Sequence, residues 1–241
     1  PNVVVPIRTL GSFPSGWTIQ ARVTHKTSLQ PQYTFSLDLR DESAEIHAIV
    51  TYSRCPEWVR FYEGMQLNKV YFISGGSLIP ANRKYTSVEN EKALLFTGQT
   101  TVSPCYEATP RIPTLPSFRF VLVDDLRDTD TDTAIDIIGI GEFNKELDES
   151  VVPSNIGQVA WRKIWIRDRT GRVLLSIYGD QVERFDGRHD EVVAVKGARR
   201  LDHNGLSLEM CRSGHIVVNP DLPEAHSLRK WWLGQEQLVD P

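Results

Sequence analysis

The chain has 241 residues, 40% hydrophobic and 24% charged, with 27 basic against 31 acidic side chains and a net charge of −4. That is the composition of an ordinary globular protein of one or two domains, and it argues against a polybasic coat for nucleic acid. Cys55, Cys105 and Cys211 lie too far apart for a disulfide framework or a Cys-x-x-Cys metal site, and no apolar run approaches a membrane span. Pro1 to Leu10 lacks the basic-then-apolar layout of a signal peptide, so an intracellular chain is expected.

In chain order, Trp17 to Val23 alternates as a strand, with Ile19, Ala21 and Val23 on one face and Thr18, Gln20 and Arg22 on the other. Thr27 to Tyr33 reads as a polar turn holding Pro31. Leu37 to Tyr52 reads as two paired strands, Trp58 to Tyr62 as a short helix and Lys69 to Ser74 as another strand. A turn at Ala81-Asn82-Arg83 then leads to a strand from Tyr85 to Val88. Pro104 to Pro116, with four prolines in thirteen residues, reads as a semi-rigid connector. The expected division is a first module over 1–108, a linker over 109–116 and a second module over 117–241.

The second module begins acidic, with ten acidic against four basic side chains over residues 109–150. Its expected elements are a strand from Asp132 to Phe143, a loop from Val151 to Gly157, and a hairpin of Ile164 to Asp168 with Arg172 to Tyr178 around Arg169-Thr170-Gly171. A helix follows over Asp180 to Phe185, stopped by Asp186-Gly187. Val192 to Val195 starts a strand before Gly197, Arg199 to Asn204 turns, and Leu206 to Cys211 is the last strand. Pro223 opens a closing helix carrying Leu228, Trp231 and Trp232, placed to cap the barrel or meet a partner.

The two modules are copies. Arg40-Asp41-Glu42-Ser43 matches Arg167-Asp168-Arg169-Thr170, Phe61-Tyr62-Glu63-Gly64 matches Arg184-Phe185-Asp186-Gly187 within one residue, and Gly75 matches Gly197. Five strands with a helix between the third and fourth is the order of a partly open Greek-key barrel. The expected fold is therefore all-β: two tandem five-stranded OB-fold barrels with short helices.

On WTIQARVTHK (Trp17 to Lys26), FSLDLRDESAEI (Phe35 to Ile46), NKVYFIS (Asn68 to Ser74), DIIGI (Asp136 to Ile140), FDG (Phe185 to Gly187), VKGAR (Val195 to Arg199) and NPDLPEAHSLR (Asn219 to Arg229), the chain resembles the two central single-stranded-DNA-binding domains of the replication protein A large subunit. The resemblance implies two barrels that coat single-stranded DNA in replication, repair and recombination, in the nucleus and alongside the other subunits of such a complex. It also implies base-stacking aromatics at the end of the third strand and on the hairpin between the fourth and fifth. Those positions point to Tyr178 and His203 in the second module and to Tyr85 in the first, where the third-strand place falls at Thr51 with Tyr52 beside it. Arg199 matches a groove arginine. His47 and Ile79 replace a family arginine and lysine, and Trp161 replaces a lysine. Ser176, Arg162 and Arg83 complete the candidate DNA-binding set. This pattern of retained rings and depleted charge marks a diverged member. A paralogue used chiefly as a protein-assembly scaffold, telomeric or meiotic, is the alternative.

Catalysis has little support. No Gly-rich phosphate loop, Gly-x-Ser-x-Gly turn or His-Glu-x-x-His helix is present, and the run Asp124 to Asp132 lacks the glycine turn and closing glutamate of a calcium loop. Neither a cofactor, a metal, a small-molecule substrate nor a membrane is expected.

Overall fold

A computed structural model describes residues 3–143, 149–155 and 157–239. The chain divides into two compact units, Pro1–Asn82 with Val88–Ser117, and Arg83–Ser87 with Phe118–Pro241.

The first unit contains β1 (Val3–Val4), β2 (Trp17–Lys26), β3 (Thr34–Arg40), β4 (Glu45–Thr51), helix α1 (Trp58–Gly64), β5 (Val70–Ser74), β6 (Ser77–Pro80), β7 (Lys92–Leu95) and β8 (Thr101–Pro104). They pair in the order β6-β7-β4-β3-β2-β5-β8. Gly75 and Gly76 split one long strand into β5 and β6. Gly75 has φ +73, and a side chain there would drive its Cβ to 2.4 Å from the Gln99 carbonyl oxygen. The parallel pairing of β4 with β7, His47 opposite Ala93, closes the ring. Period-2 alternation fills the interior: Ile19, Ala21, Val23, Leu37, Leu39 and Ile73 are wholly buried.

The second unit contains β9 (Ile135–Glu142), β10 (Glu149–Ser154), β11 (Gly157–Arg167), β12 (Arg172–Tyr178), helix α2 (Asp180–Arg184), β13 (Glu191–Leu201), β14 (Ser207–Val218) and helix α3 (Pro223–Val239). The order β10-β11-β12-β14-β13-β9 closes through a further pairing of β11 with β9. Here the long fourth strand stays whole: β13 bends through Gly197 with a register shift between Lys196 and Ala198. Gly214 faces that bend, where a Cβ would lie 2.4 Å from the Gly197 carbonyl oxygen. Ile137, Ile164, Ile166, Leu175, Ile177 and Val195 are wholly buried, each worth roughly 1.5–3 kcal/mol against exposure. Leu228 of α3 packs on Ile140 and Val192, with Trp231 and Trp232 partly buried beside it, so the helix covers the barrel of its own unit. Both units are OB-like barrels, as the order of elements predicts, built on an eight-stranded and a six-stranded sheet.

The repeated four-residue turns do the same work in both copies. The Asp41 carboxylate accepts the Ser43 amide and hydroxyl at 2.7 Å and the Ala44 amide at 2.9 Å. Its second oxygen accepts the Ile7 amide at 2.7 Å. Asp168 accepts the Thr170 amide and hydroxyl at 2.7 Å, the Gly171 amide at 3.0 Å and, on its second oxygen, the Val123 amide at 2.9 Å. Each carboxylate closes a hairpin with one oxygen and ties down the segment entering the barrel with the other.

Three expected elements differ. The turn expected over Arg199 to Asn204 starts later, because Arg199, Arg200 and Leu201 continue β13 opposite Glu209, Leu208 and Ser207. Val151 to Gly157 is not a loop: Glu149–Ser154 forms β10, a hairpin arm whose Ser154 lies opposite Gly157, because β11 starts well before the barrel and needs a partner for its early backbone groups. Tyr85 to Val88 is not a strand. Its neighbourhood bonds elsewhere, the Arg83 carbonyl accepting the Ala134 amide at 2.7 Å and the Tyr85 carbonyl accepting the Ser213 hydroxyl.

Asp41→Ala and Asp168→Ala each strand several amides, so each should lower stability in urea unfolding by about 2–4 kcal/mol, with Asn in place of Ala recovering part of the loss.

Candidate functional site

Alternation sorts the side chains of β11 and β12. Arg162, Ile164 and Ile166 point inward; Trp161, Lys163 and Trp165 point outward, as do Leu174, Ser176 and Tyr178. Register then lines them up. Lys163 lies opposite Ser176, Ser176 opposite Glu209, and Glu209 opposite Arg199, giving one row across four strands. One step further along, Trp161 lies opposite Tyr178, their rings parallel to 10° with centroids 6.3 Å apart. The Lys163 ammonium sits 4.4 Å from the Trp161 ring centroid. The outer face of the second barrel thus carries two stacked rings above a polar row.

The charges in that row oppose one another. Arg199 reaches Glu209 at 3.6 Å, an ion pair longer than a hydrogen bond, and also contacts the Cys211 thiol. Burial raises the Tyr178 hydroxyl pKa above its ordinary value, and the negative charge of Glu209 adds to the shift. Burial also pushes the Cys211 thiol up to about 11, so it is an inert core group. His203 is exposed on the turn between β13 and β14.

Other candidates lie away from this face. Arg162 shares the parity of Ile164 and is buried, paired with Glu149 and set 5.5 and 5.4 Å from the rings of Phe143 and Phe185. His47 is buried in the first unit, its Nδ1 2.7 Å from the Asp38 carboxylate. Arg83 is half-buried and Tyr85 is 50% exposed, and both belong to the packing of the second unit. Tyr52, just past the end of β4, is 55% exposed and meets the ring of Tyr33 edge-on at 6.2 Å. Lys163, Glu209, Tyr33 and Trp58 are the members that the sequence pattern did not single out, although strict alternation from Leu208 already places Glu209 outward. Among the described residues, no group of His, Cys, Asp and Glu is arranged to hold a metal ion. No described helix is long and apolar enough to cross a membrane.

Residues 123–219 match the family model of the replication protein A OB domain. The replication protein A 70 kDa DNA-binding subunit of Xenopus laevis is 36% identical over 245 residues, covering 98% of this chain and 39% of that protein. Its counterpart in Drosophila melanogaster is 35% identical, covering 94% and 39%. The solved structure of a replication protein A heterotrimer bound to ssDNA matches with a TM-score of 0.69 at 29% identity, over 97% of this chain and 56% of that one. The chain spans about two fifths of the length of these curated relatives.

One titratable group of the same barrel couples the fold to pH. His215 lies opposite Lys196 on the β13–β14 pair. The residue as a whole is half-buried, but both ring nitrogens, the atoms that titrate, are sealed from solvent. Burial pushes its pKa down to about 3, and the Lys196 charge adds to the effect. Below about pH 6.5 the unfolded chain takes up a proton that the folded chain refuses until about pH 3. This group's contribution to stability should therefore shrink as pH falls through that window. Urea unfolding of His215→Gln against the parent at pH 7 and pH 4 should show the stability difference moving in favour of the variant at the lower pH.

Proposed function

This chain belongs to the replication protein A large-subunit family, and on that premise we propose that it binds single-stranded DNA with little sequence preference, through the outer face of the second barrel together with the first. The observation that carries this reading is the pair of stacked rings, Trp161 and Tyr178, above the in-register row Lys163, Ser176, Glu209 and Arg199. Every base has a π-face, so rings at a barrel surface hold a single strand without reading its sequence, while a duplex keeps its bases stacked inside. Cations beside the rings take phosphates, and Glu209 moderates them.

The same reading makes the chain part of a larger heteromeric complex, with other subunits as partners, acting in the nucleus in replication, repair and recombination. Its role is binding rather than catalysis, with no cofactor, and the candidate interface comprises Tyr52, Tyr85, Tyr178, His203, Arg199, Trp161, Ser176 and Arg83; His47 and Arg162, expected there from the sequence, are instead buried against Asp38 and Glu149. The carboxylate of Glu209, which offsets one of the two cations in the row, supports affinity drawn more from stacking than from counterion release.

Fluorescence anisotropy with thymine oligomers, duplex DNA and RNA tests the reading. Binding to the oligomer in preference to duplex is expected; tight duplex binding, or none to single strands at low salt, would overturn it. Within that assay Tyr178→Ala should lose about 1–3 kcal/mol with little change in salt slope. Arg199→Ala should reduce the slope of log affinity against log salt by roughly 0.7, the single-strand value for one phosphate. Glu209→Gln should tighten binding and steepen the slope, because it releases Arg199 from its carboxylate.

A further inference from the structure

The two barrels carry their paired aromatics at different register positions. Counting back six residues from the matched arginines, Arg40 and Arg167, places Thr34 of β3 where β11 has Trp161; the partner strands place Thr51 where β12 has Tyr178. The first unit therefore has two threonines where the second has its stacked rings. One step beyond, the exchange runs the other way. The second unit has Ala160 and Gly179, joined by an amide-to-carbonyl bond of 2.8 Å, and the first has Tyr33 and Tyr52, joined by the equivalent bond of 3.3 Å.

A one-residue step along an extended pair normally turns a side chain to the opposite face. Here the backbone departs from extension. Gln32 and Tyr33 both take the left-handed conformation, with φ of 62 and 52, which residues carrying a Cβ rarely adopt. Mutual bonds between Gln30 and Thr34, at 2.7 and 3.4 Å, clasp the turn and hold that conformation. Backbone strain held in place by its surroundings is a mark of a site. It leaves the Tyr33 ring stacked on Trp58 of α1, centroids 5.2 Å apart at 22°, and edge-on to Tyr52. Despite these contacts Tyr33 and Tyr52 remain 56% and 55% exposed.

We propose that Tyr33, Tyr52 and Trp58 form the base-stacking platform of the first unit, displaced one register step from the equivalent of Trp161 and Tyr178, with unpaired nucleobases as its ligand. The proposal rests on the reading of the chain as a single-stranded-DNA binder. The complementary exchange of ring and small side chain between the copies favours bases over an apolar peptide, because it preserves a ring pair at the same end of the same two strands. Arg54, exposed in the turn after Tyr52, supplies a cation beside it.

The test uses the intact chain and a thymine oligomer. Tyr33→Gly removes the ring while keeping a residue at ease in the left-handed backbone, and Tyr52→Ala removes the second ring. Each should weaken binding roughly 5- to 100-fold, with Tyr52→Phe close to the parent. Tyr106→Ala, at a tyrosine that is 92% exposed, should bind like the parent. Photo-cross-linking to an oligomer carrying 5-bromouracil should mark peptides containing Tyr33, Tyr52 or Trp58, and thermal melts check that each variant folds. If the parent binds and Tyr178→Ala weakens it while the Tyr33 and Tyr52 variants match the parent, the platform is refuted and the binding function stands. If the parent does not bind single strands at all, both fall.

Discussion

The architecture depends on one buried carboxylate per barrel. Asp41 and Asp168 each turn the chain between the second and third barrel strands and, through the second oxygen, fix where the segment before the barrel enters. Without that double grip the hairpin loses its register, and in a sheet with one buried face a slip of one residue would reverse every side chain beyond it. The outward positions of Trp161, Lys163, Ser176 and Tyr178 follow from the grip at Asp168, five to ten residues away along two paired strands. Site and fold are thus set by the same hydrogen bonds.

From that fixed point the two copies diverge in how they bend and where they place their rings. The second barrel carries its fourth strand through Gly197 without a break, against Gly214, whereas the first divides it at Gly75 and Gly76. The second keeps a ring pair in register at the strand ends. The first has threonines there and moves its rings one step outward onto a clasped, left-handed turn. Duplication followed by local repositioning accounts for both arrangements with one hairpin geometry.

Much of this was legible in the sequence because it depends on short-range rules. The repeat of Arg40-Asp41-Glu42-Ser43 at Arg167-Asp168-Arg169-Thr170 marked the equivalent turns, and alternation marked the barrel strands. The same alternation places Arg162 inward beside Ile164, yet a cluster of arginines and lysines invites reading as one solvated face; only the pairing with Glu149 and the rings of Phe143 and Phe185 shows how a cation is accommodated there. Tyr85 was harder, since its carbonyl accepts the hydroxyl of Ser213 and that of nearby Arg83 accepts the amide of Ala134, distant residues that no local pattern announces. Tyr33 and Trp58 were hidden for a third reason. A left-handed non-glycine pair overrides the alternation from which side-chain direction is read, and no residue-type signal warns of it.

The central claim is that the outward face of β11 and β12, extended to Arg199, is where a single strand lies. Hydrogen exchange of the intact chain with and without a saturating thymine oligomer tests it most directly. The account predicts added protection across Trp161 to Lys163, Ser176 to Tyr178 and Arg199 to His203, with helix α3 unchanged. Protection confined to α3, or exchange on the two strands left as it was in a chain that binds the oligomer, would contradict it.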